Sequence, residues 1–150
     1  MRKKLSEKYI EELKKRLILG KEYVKDNYDN IGVICSFYNV IVDTLLLCAS
    51  MDNLIADVSD APLTRKTTVF HNNNLYLNIS HAQLALHCKA PAYVINNAIK
   101  KCVKHGVIEA VTVKGNRHKL IRPLDVDEIK SIKKIVDDYL KATGGMKNCD

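Results

Sequence analysis

No GxSxG nucleophile elbow, no HExxH metal pair and no glycine-rich phosphate cradle occurs in the 150 residues, so the compact signatures of hydrolases, zinc peptidases and nucleotide-binding enzymes are missing. A legible pair of catalytic carboxylates is missing too. Asp43 is the one acid set in a hydrophobic run, and a lone aspartate there is expected to be exposed or hydrogen-bonded rather than reactive. The sequence therefore reads as a non-enzyme with no cofactor. The five cysteines include no CxxC pair, and their odd number leaves one thiol outside any disulfide framework. That usage points to a reducing, cytoplasmic setting. No apolar core follows the basic start Met1-Arg2-Lys3-Lys4-Leu5, because Glu7, Glu11 and Glu12 arrive at once, so a secretory leader is not expected. Internal repeats and low-complexity tracts are absent as well.

What is present is an ordinary globular composition, 47% hydrophobic and 27% charged, in a chain with room for one core. The formal charge of +7 is unevenly placed. Residues 59–122 hold ten of the 24 Lys and Arg but only two of the 17 acids, Asp60 and Glu109, so the whole excess lies there. A local surplus of that size marks a surface for a polyanion, of which nucleic acid is the usual one.

Residues 1–58 read as a helical scaffold. From Ser6 to Asp26 the apolar positions Ile10, Leu13, Leu17 and Val24 recur at helical spacing among charges. Asn27, Asp29, Asn30 and Gly32 then form a turn cluster. The stretch Ile31–Met51 is long enough to cross a bilayer, which takes about 20 apolar residues. Asp43 at its centre, with Ser36, Asn39 and Thr44, argues instead for a buried core or dimer helix, because a charge at mid-bilayer costs on the order of 3 kcal/mol. Residues 59–74, with Pro62, Arg65, Lys66 and the run His71-Asn72-Asn73-Asn74, look like a connecting loop with a short strand at Thr67 to Phe70.

Residues 75–122 carry the functional signal, opening with the short β-prone run Leu75-Tyr76-Leu77. Ser80 and Gln83 have the spacing of a capping box that opens a helix running to about Cys88. Lys89-Ala90-Pro91-Ala92 is a tight turn, with Pro91 suited to the first position of the next helix. That helix runs to His105 and stops at Gly106, the residue expected for a left-handed cap. The inner positions Leu84, Ala85, Cys88, Val94 or Ile95, Ala98, Ile99 and Cys102 are small or apolar, which suits two helices sharing one core. The other face of the second helix displays Ala92, Tyr93, Asn96, Asn97, Lys100, Lys101 and Lys104. Val107–Val113 and His118–Arg122 read as a hairpin around Lys114-Gly115-Asn116-Arg117. Its tip gathers Lys114, Asn116, Arg117, His118 and Lys119.

These 48 or so residues resemble the winged helix-turn-helix regulators, in particular the MarR type. The match runs through Leu84-Ala85, Cys88, Val94, Ala98-Ile99, Cys102 and Gly106-Val107-Ile108. The turn departs from the family pattern, with Lys89 and Pro91 in place of a glycine and a small polar residue. The second helix has Asn97 where arginine is usual. The resemblance implies that the second helix enters the major groove of double-stranded DNA while the hairpin, as a wing, meets the backbone or minor groove. The chemistry of the side chains agrees, since asparagine can pair with adenine and lysine and arginine neutralise phosphates. Transcriptional regulation is the expected role. Plasmid or phage replication and partition factors use the same module, and a winged helix can also serve as a protein-interaction module, here with the long apolar helix as docking surface.

Residues 125–142 read as a C-terminal helix, with Asp125, Asp127 and Glu128 at its start. Its apolar stripe is Val126, Ile129, Ile132, Ile135, Val136, Tyr139 and Leu140, and Gly144-Gly145 ends it. The expected whole is a mainly α single domain with a small β-hairpin wing, flanked by N- and C-terminal helices and assembled as a homodimer on a palindromic site. His87, Cys88, Cys102 and His105 could be imagined as a zinc site, but the two cysteines fall on core positions and no metal is expected.

Overall fold

A computed structural model of the chain describes residues 2–4, 6–28, 32–51, 54–57 and 67–143. In chain order the elements are β1 (Arg2–Lys4), α1 (Glu7–Tyr28), α2 (Gly32–Met51), β2 (Leu54–Asp57), β3 (Thr68–His71), β4 (Asn74–Leu77), α3 (His81–Cys88), α4 (Ala92–Lys104), β5 (Ile108–Val111), β6 (Leu120–Pro123) and α5 (Val126–Thr143). The protein is mainly helical with one small sheet. Asp29, Asn30, residues 58–66 with Pro62, Arg65 and Lys66, and residues 144–150 with the expected Gly144-Gly145 stop lie outside the described residues.

Ser6 starts α1 by accepting from the Tyr9 amide at 3.1 Å, the bond an N-terminal cap is expected to make. The helix buries Leu17, Gly20 and Val24 against α2. α2 has the length and composition to cross a membrane, but here it is the central helix of the core. Ile34, Phe37, Tyr38, Ile41, Val42, Leu45 and Ala49 are all buried along it, and it packs on α1, α3, α4 and β6. Seven of its apolar residues are thus used inside the fold, while Val33 and Leu47 stay exposed. Asp43 points outward and pairs with Lys21 Nζ at 2.5 Å.

The sheet is larger than the hairpin that the sequence led one to expect. Its strand order is β1-β2-β3-β4-β6-β5, with β2 and β3 parallel and the other neighbours antiparallel. The segment read as a loop with one short strand is a hairpin, β3 and β4, in register from Thr68↔Leu77 to His71↔Asn74. Asn72 and Asn73 turn it with φ of 49° and 65°. A two-residue turn with both φ positive matches the twist of the flanking strands, and asparagine is among the few residues that tolerate it. One sheet face puts Leu75, Leu77 and Ile121 into the main core. The alternate positions Val69, Tyr76 and Leu120 form a second, smaller cluster on the other face.

α3 opens with the full capping box, Ser80 Oγ accepting from the Gln83 amide at 3.1 Å and the Gln83 side chain accepting from the Ser80 amide at 3.3 Å. The turn to α4 is Lys89-Ala90-Pro91, with Lys89 left-handed at φ 53°. Pro91 sits one position earlier than expected, as the cap of α4 rather than its first helical residue. Gly106 follows α4 at φ 71°, as its lack of a Cβ allows.

Candidate nucleic-acid interface

α4 is positioned from behind. Ile95, Ala98, Ile99 and Cys102 are buried against α2 and α3, and each is small or branched enough to seat the helix close to its neighbours. The opposite side of the helix is what remains for solvent. Ala92, Tyr93, Asn97, Lys100, Lys101 and Lys104 are exposed there, and Asn96 is half-buried at the edge. The structure thus places all seven expected residues of α4 along one side.

The hairpin residues form a second group, in the 112–119 connection between β5 and β6. Lys114, Arg117 and Lys119 are exposed and His118 is half-buried. Asn116 has a different job from the one its position in the sequence suggested. Its amide donates to Asn78 Oδ1 at 3.0 Å and to the His118 carbonyl at 2.6 Å, so it ties the loop to the segment before α3. Gly115, at φ 87°, makes the loop's tight bend.

From Ser80 to Ile108 the chain contains no acid. Among the described residues, none of Lys100, Lys101, Lys104, Lys114, Arg117 and Lys119 is in an ion pair. The amides of Asn96 and Asn97 likewise have no hydrogen-bond partner among them. A surface of this kind offers fixed positive charge for phosphates and uncommitted amide donors and acceptors for base edges.

Arg122 does not belong to that surface, although the sequence counted it in the basic surplus. It is 8% exposed. Its Nε donates to Glu109 at 3.0 Å, its two terminal nitrogens donate to the carboxylate of Glu128 at 3.0 and 2.5 Å, and its guanidinium lies over the Tyr76 ring. The Tyr76 hydroxyl donates to Glu109 as well. Burial opposes the charge of Glu128, yet the hydrogen bonds from Arg122 and the Asp125 amide outweigh it and hold the carboxyl below its usual range. Asp125 and Glu128 also cap each other's amides, at 2.9 and 3.2 Å. Glu128, one of the acids that the helix dipole explained, thus has a second role, joining the start of α5 to Arg122 on β6.

The four residues weighed as zinc ligands occupy different surroundings. Cys102 is buried in the core cluster, where burial pushes its thiol up to about 12. Cys88 is half-buried, and desolvation raises its thiol too. His87 is exposed, whereas His105 stacks edge-on against Tyr28 with ring centroids 5.9 Å apart. Among the described residues no three potential ligands gather into a metal-binding group.

No family model, no curated protein and no solved structure matches the chain.

Proposed function

We propose that the protein binds double-stranded DNA sequence-specifically as a winged helix-turn-helix of the kind found in MarR-type regulators, and that it acts as a homodimeric regulator of transcription. In this reading α3 braces α4, α4 lies in the major groove, and the β5–β6 hairpin is the wing. The observation that carries it is that six cations on α4 and the hairpin, and the amides of Asn96 and Asn97 on α4, have no partner among the described residues. Cations held out of ion pairs retain their full attraction for a polyanion, and release of the counterions around DNA turns that attraction into affinity. Tyr93, 70% exposed at the start of α4, adds apolar surface suited to a thymine methyl.

Fluorescence anisotropy with a random-sequence duplex, followed by selection of bound sequences from a random pool, tests this reading. The expected result is binding at low salt whose logarithm falls linearly with the logarithm of salt concentration, by about 0.9 unit per phosphate neutralised, and a selected consensus with two-fold symmetry. Absence of duplex binding at low salt, or an affinity indifferent to salt, removes the proposal.

A further inference from the structure

The side chains that α4 offers to solvent are narrower in chemistry than their charge suggests. Residues 92–104 contain no arginine and no acid. Arginine is the usual bidentate partner of guanine, and an acid accepts from the cytosine amino group, so the helix lacks the main means of reading a G·C pair. Of the two arginines between residues 67 and 143, Arg122 is held inside by Glu109 and Glu128 and Arg117 stands on the hairpin. Lysine also meets guanine edges, but Lys100, Lys101 and Lys104 occupy the second half of α4. A recognition helix brings its N-terminal residues to the bases. Here those are Ala92, Tyr93, Asn96 and Asn97, none of them charged.

We propose, resting on the reading of α4 as a major-groove helix, that the protein selects A·T pairs there: Asn97 pairs with an adenine, and Tyr93 and Ala92 pack on thymine methyl groups. Adenine presents an N7 acceptor and an N6 donor on one edge, and a side-chain amide supplies the complementary donor and acceptor. The Asn97 amide is exposed and has no partner among the described residues, so both of its polar atoms are available. Asn96 flanks it, half-buried on the same side. Tyr93 precedes Asn97 by four residues, about 6 Å along the helix axis. Base pairs follow one another every 3.4 Å or about that, so a helix lying along the groove sets the thymine contact about two base pairs from the adenine. A G·C pair fails at either place. Guanine puts the O6 acceptor where adenine has its N6 donor, against the amide oxygen of Asn97, and cytosine has no methyl for Tyr93.

Base replacement in a duplex selected from a random pool, with affinity for the full chain read by fluorescence anisotropy, tests this. Uracil in place of thymine removes only the methyl and is expected to weaken binding about fourfold for each methyl contacted, a loss that should shrink in Tyr93→Ala. Replacing adenine by 7-deazaadenine removes the N7 acceptor and is expected to weaken binding about two- to tenfold, with no further loss in Asn97→Ala. Inosine·cytosine pairs carry the major-groove edge of G·C and the minor-groove edge of A·T. They separate reading by α4 from a preference for minor-groove shape, and they are expected to bind as poorly as G·C. A selected site made of G·C pairs, full affinity after the uracil and 7-deazaadenine replacements, or inosine·cytosine bound as well as A·T would each overturn the proposal while DNA binding stands. Absence of binding to any duplex at low salt removes DNA binding and base selection together, so the two failures are told apart.

Discussion

The hydroxyl of Tyr38 donates to the carbonyl of Leu124 at 2.6 Å, and Gly20 passes directly beneath that hydroxyl. The bond ties α2 to the residue that leads into α5, while the missing side chain at position 20 lets α1 come close enough to seal it. A Cβ on Gly20 would overlap the Tyr38 oxygen, and Tyr38 is fully buried, so neither partner can step aside cheaply. Gly20→Ala is expected to destabilise the protein by about 1–3 kcal/mol from overpacking, despite the better helix propensity of alanine. Tyr38→Phe is expected to cost about 1–2 kcal/mol by leaving the Leu124 carbonyl without its donor. The two costs should not add, since phenylalanine removes the atom that alanine strikes. A double-mutant cycle by urea unfolding measures this, and strictly additive losses would show that the contact does not exist.

Lys89 holds a left-handed conformation at φ 53°, in the turn between α3 and α4. Its amide approaches the Leu86 carbonyl at 3.4 Å and the Ala90 amide bonds to the Ala85 carbonyl at 3.1 Å, so the conformation closes α3 and cannot relax without undoing that cap. A side chain there costs about 1–2 kcal/mol, against which glycine's greater freedom in the unfolded chain takes back part of the gain. Lys89→Gly should therefore stabilise by about 0.5–1 kcal/mol, raising the thermal midpoint by about 1–4 °C. A fall in the midpoint would mean that the lysine side chain contributes packing that outweighs the strain.

Glu128 sets a pH dependence whose sign follows from its environment. Its carboxyl is held below the usual range because the hydrogen bonds from Arg122 and Asp125 overcome the cost of burial. A carboxyl whose folded pKa lies below its unfolded value, about 4.3, contributes its full stabilisation above that value and loses it as pH falls through the folded pKa. Glu128→Gln is expected to cost about 1–2 kcal/mol at pH 7, the lower part of the range for hydrogen bonds to a charged group, because the carboxylate is partly exposed and screened. The difference between wild type and variant should shrink as pH drops below about 4. Denaturant titrations at pH 7 and pH 3 check this, and an equal difference at both would exclude the ion pair as its source.

The two helices α3 and α4 and the turn between them were legible in the sequence because their signals are local. Ser80 and Gln83 lie three residues apart, Gly106 marks the end of its own helix, and the small residues at 85, 98 and 102 repeat at the helical period. The pairing of β3 with β4 escaped, although both segments read as β-prone, because Asn72-Asn73 reads as generic loop unless both residues are allowed positive φ. Arg122 was misplaced among the surface cations for another reason. Its partners Tyr76, Glu109 and Glu128 come from β4, β5 and α5, and only the folded sheet brings them together. Asn116 followed the same logic, since Asn78 is a neighbour in space and not in sequence. The stripe on α5 was visible as a pattern, yet only the fold shows how it is used, with Ile129 buried, Ile132 set against Gly106 and the residues beyond it exposed.

If α4 reads DNA, its asparagines and the hairpin cations should fail in different ways when removed. Asn97 is exposed with its amide uncommitted, and a bidentate amide–adenine pair discriminates by about 1–3 kcal/mol. Asn97→Ala should therefore lower affinity for a selected site by that amount while leaving random duplex almost unchanged. Arg117→Ala removes a charge that cannot tell one sequence from another, so it should weaken every duplex alike and reduce the salt slope by about one unit. Asn116→Ala is the informative contrast. Its amide faces Asn78 and the His118 carbonyl, so its loss should loosen the hairpin and reduce affinity without changing the base preference. Binding titrations of the three variants at two salt concentrations separate these outcomes. A change of preferred sequence with Arg117→Ala, or none with Asn97→Ala, would put base reading on the hairpin and not on the helix.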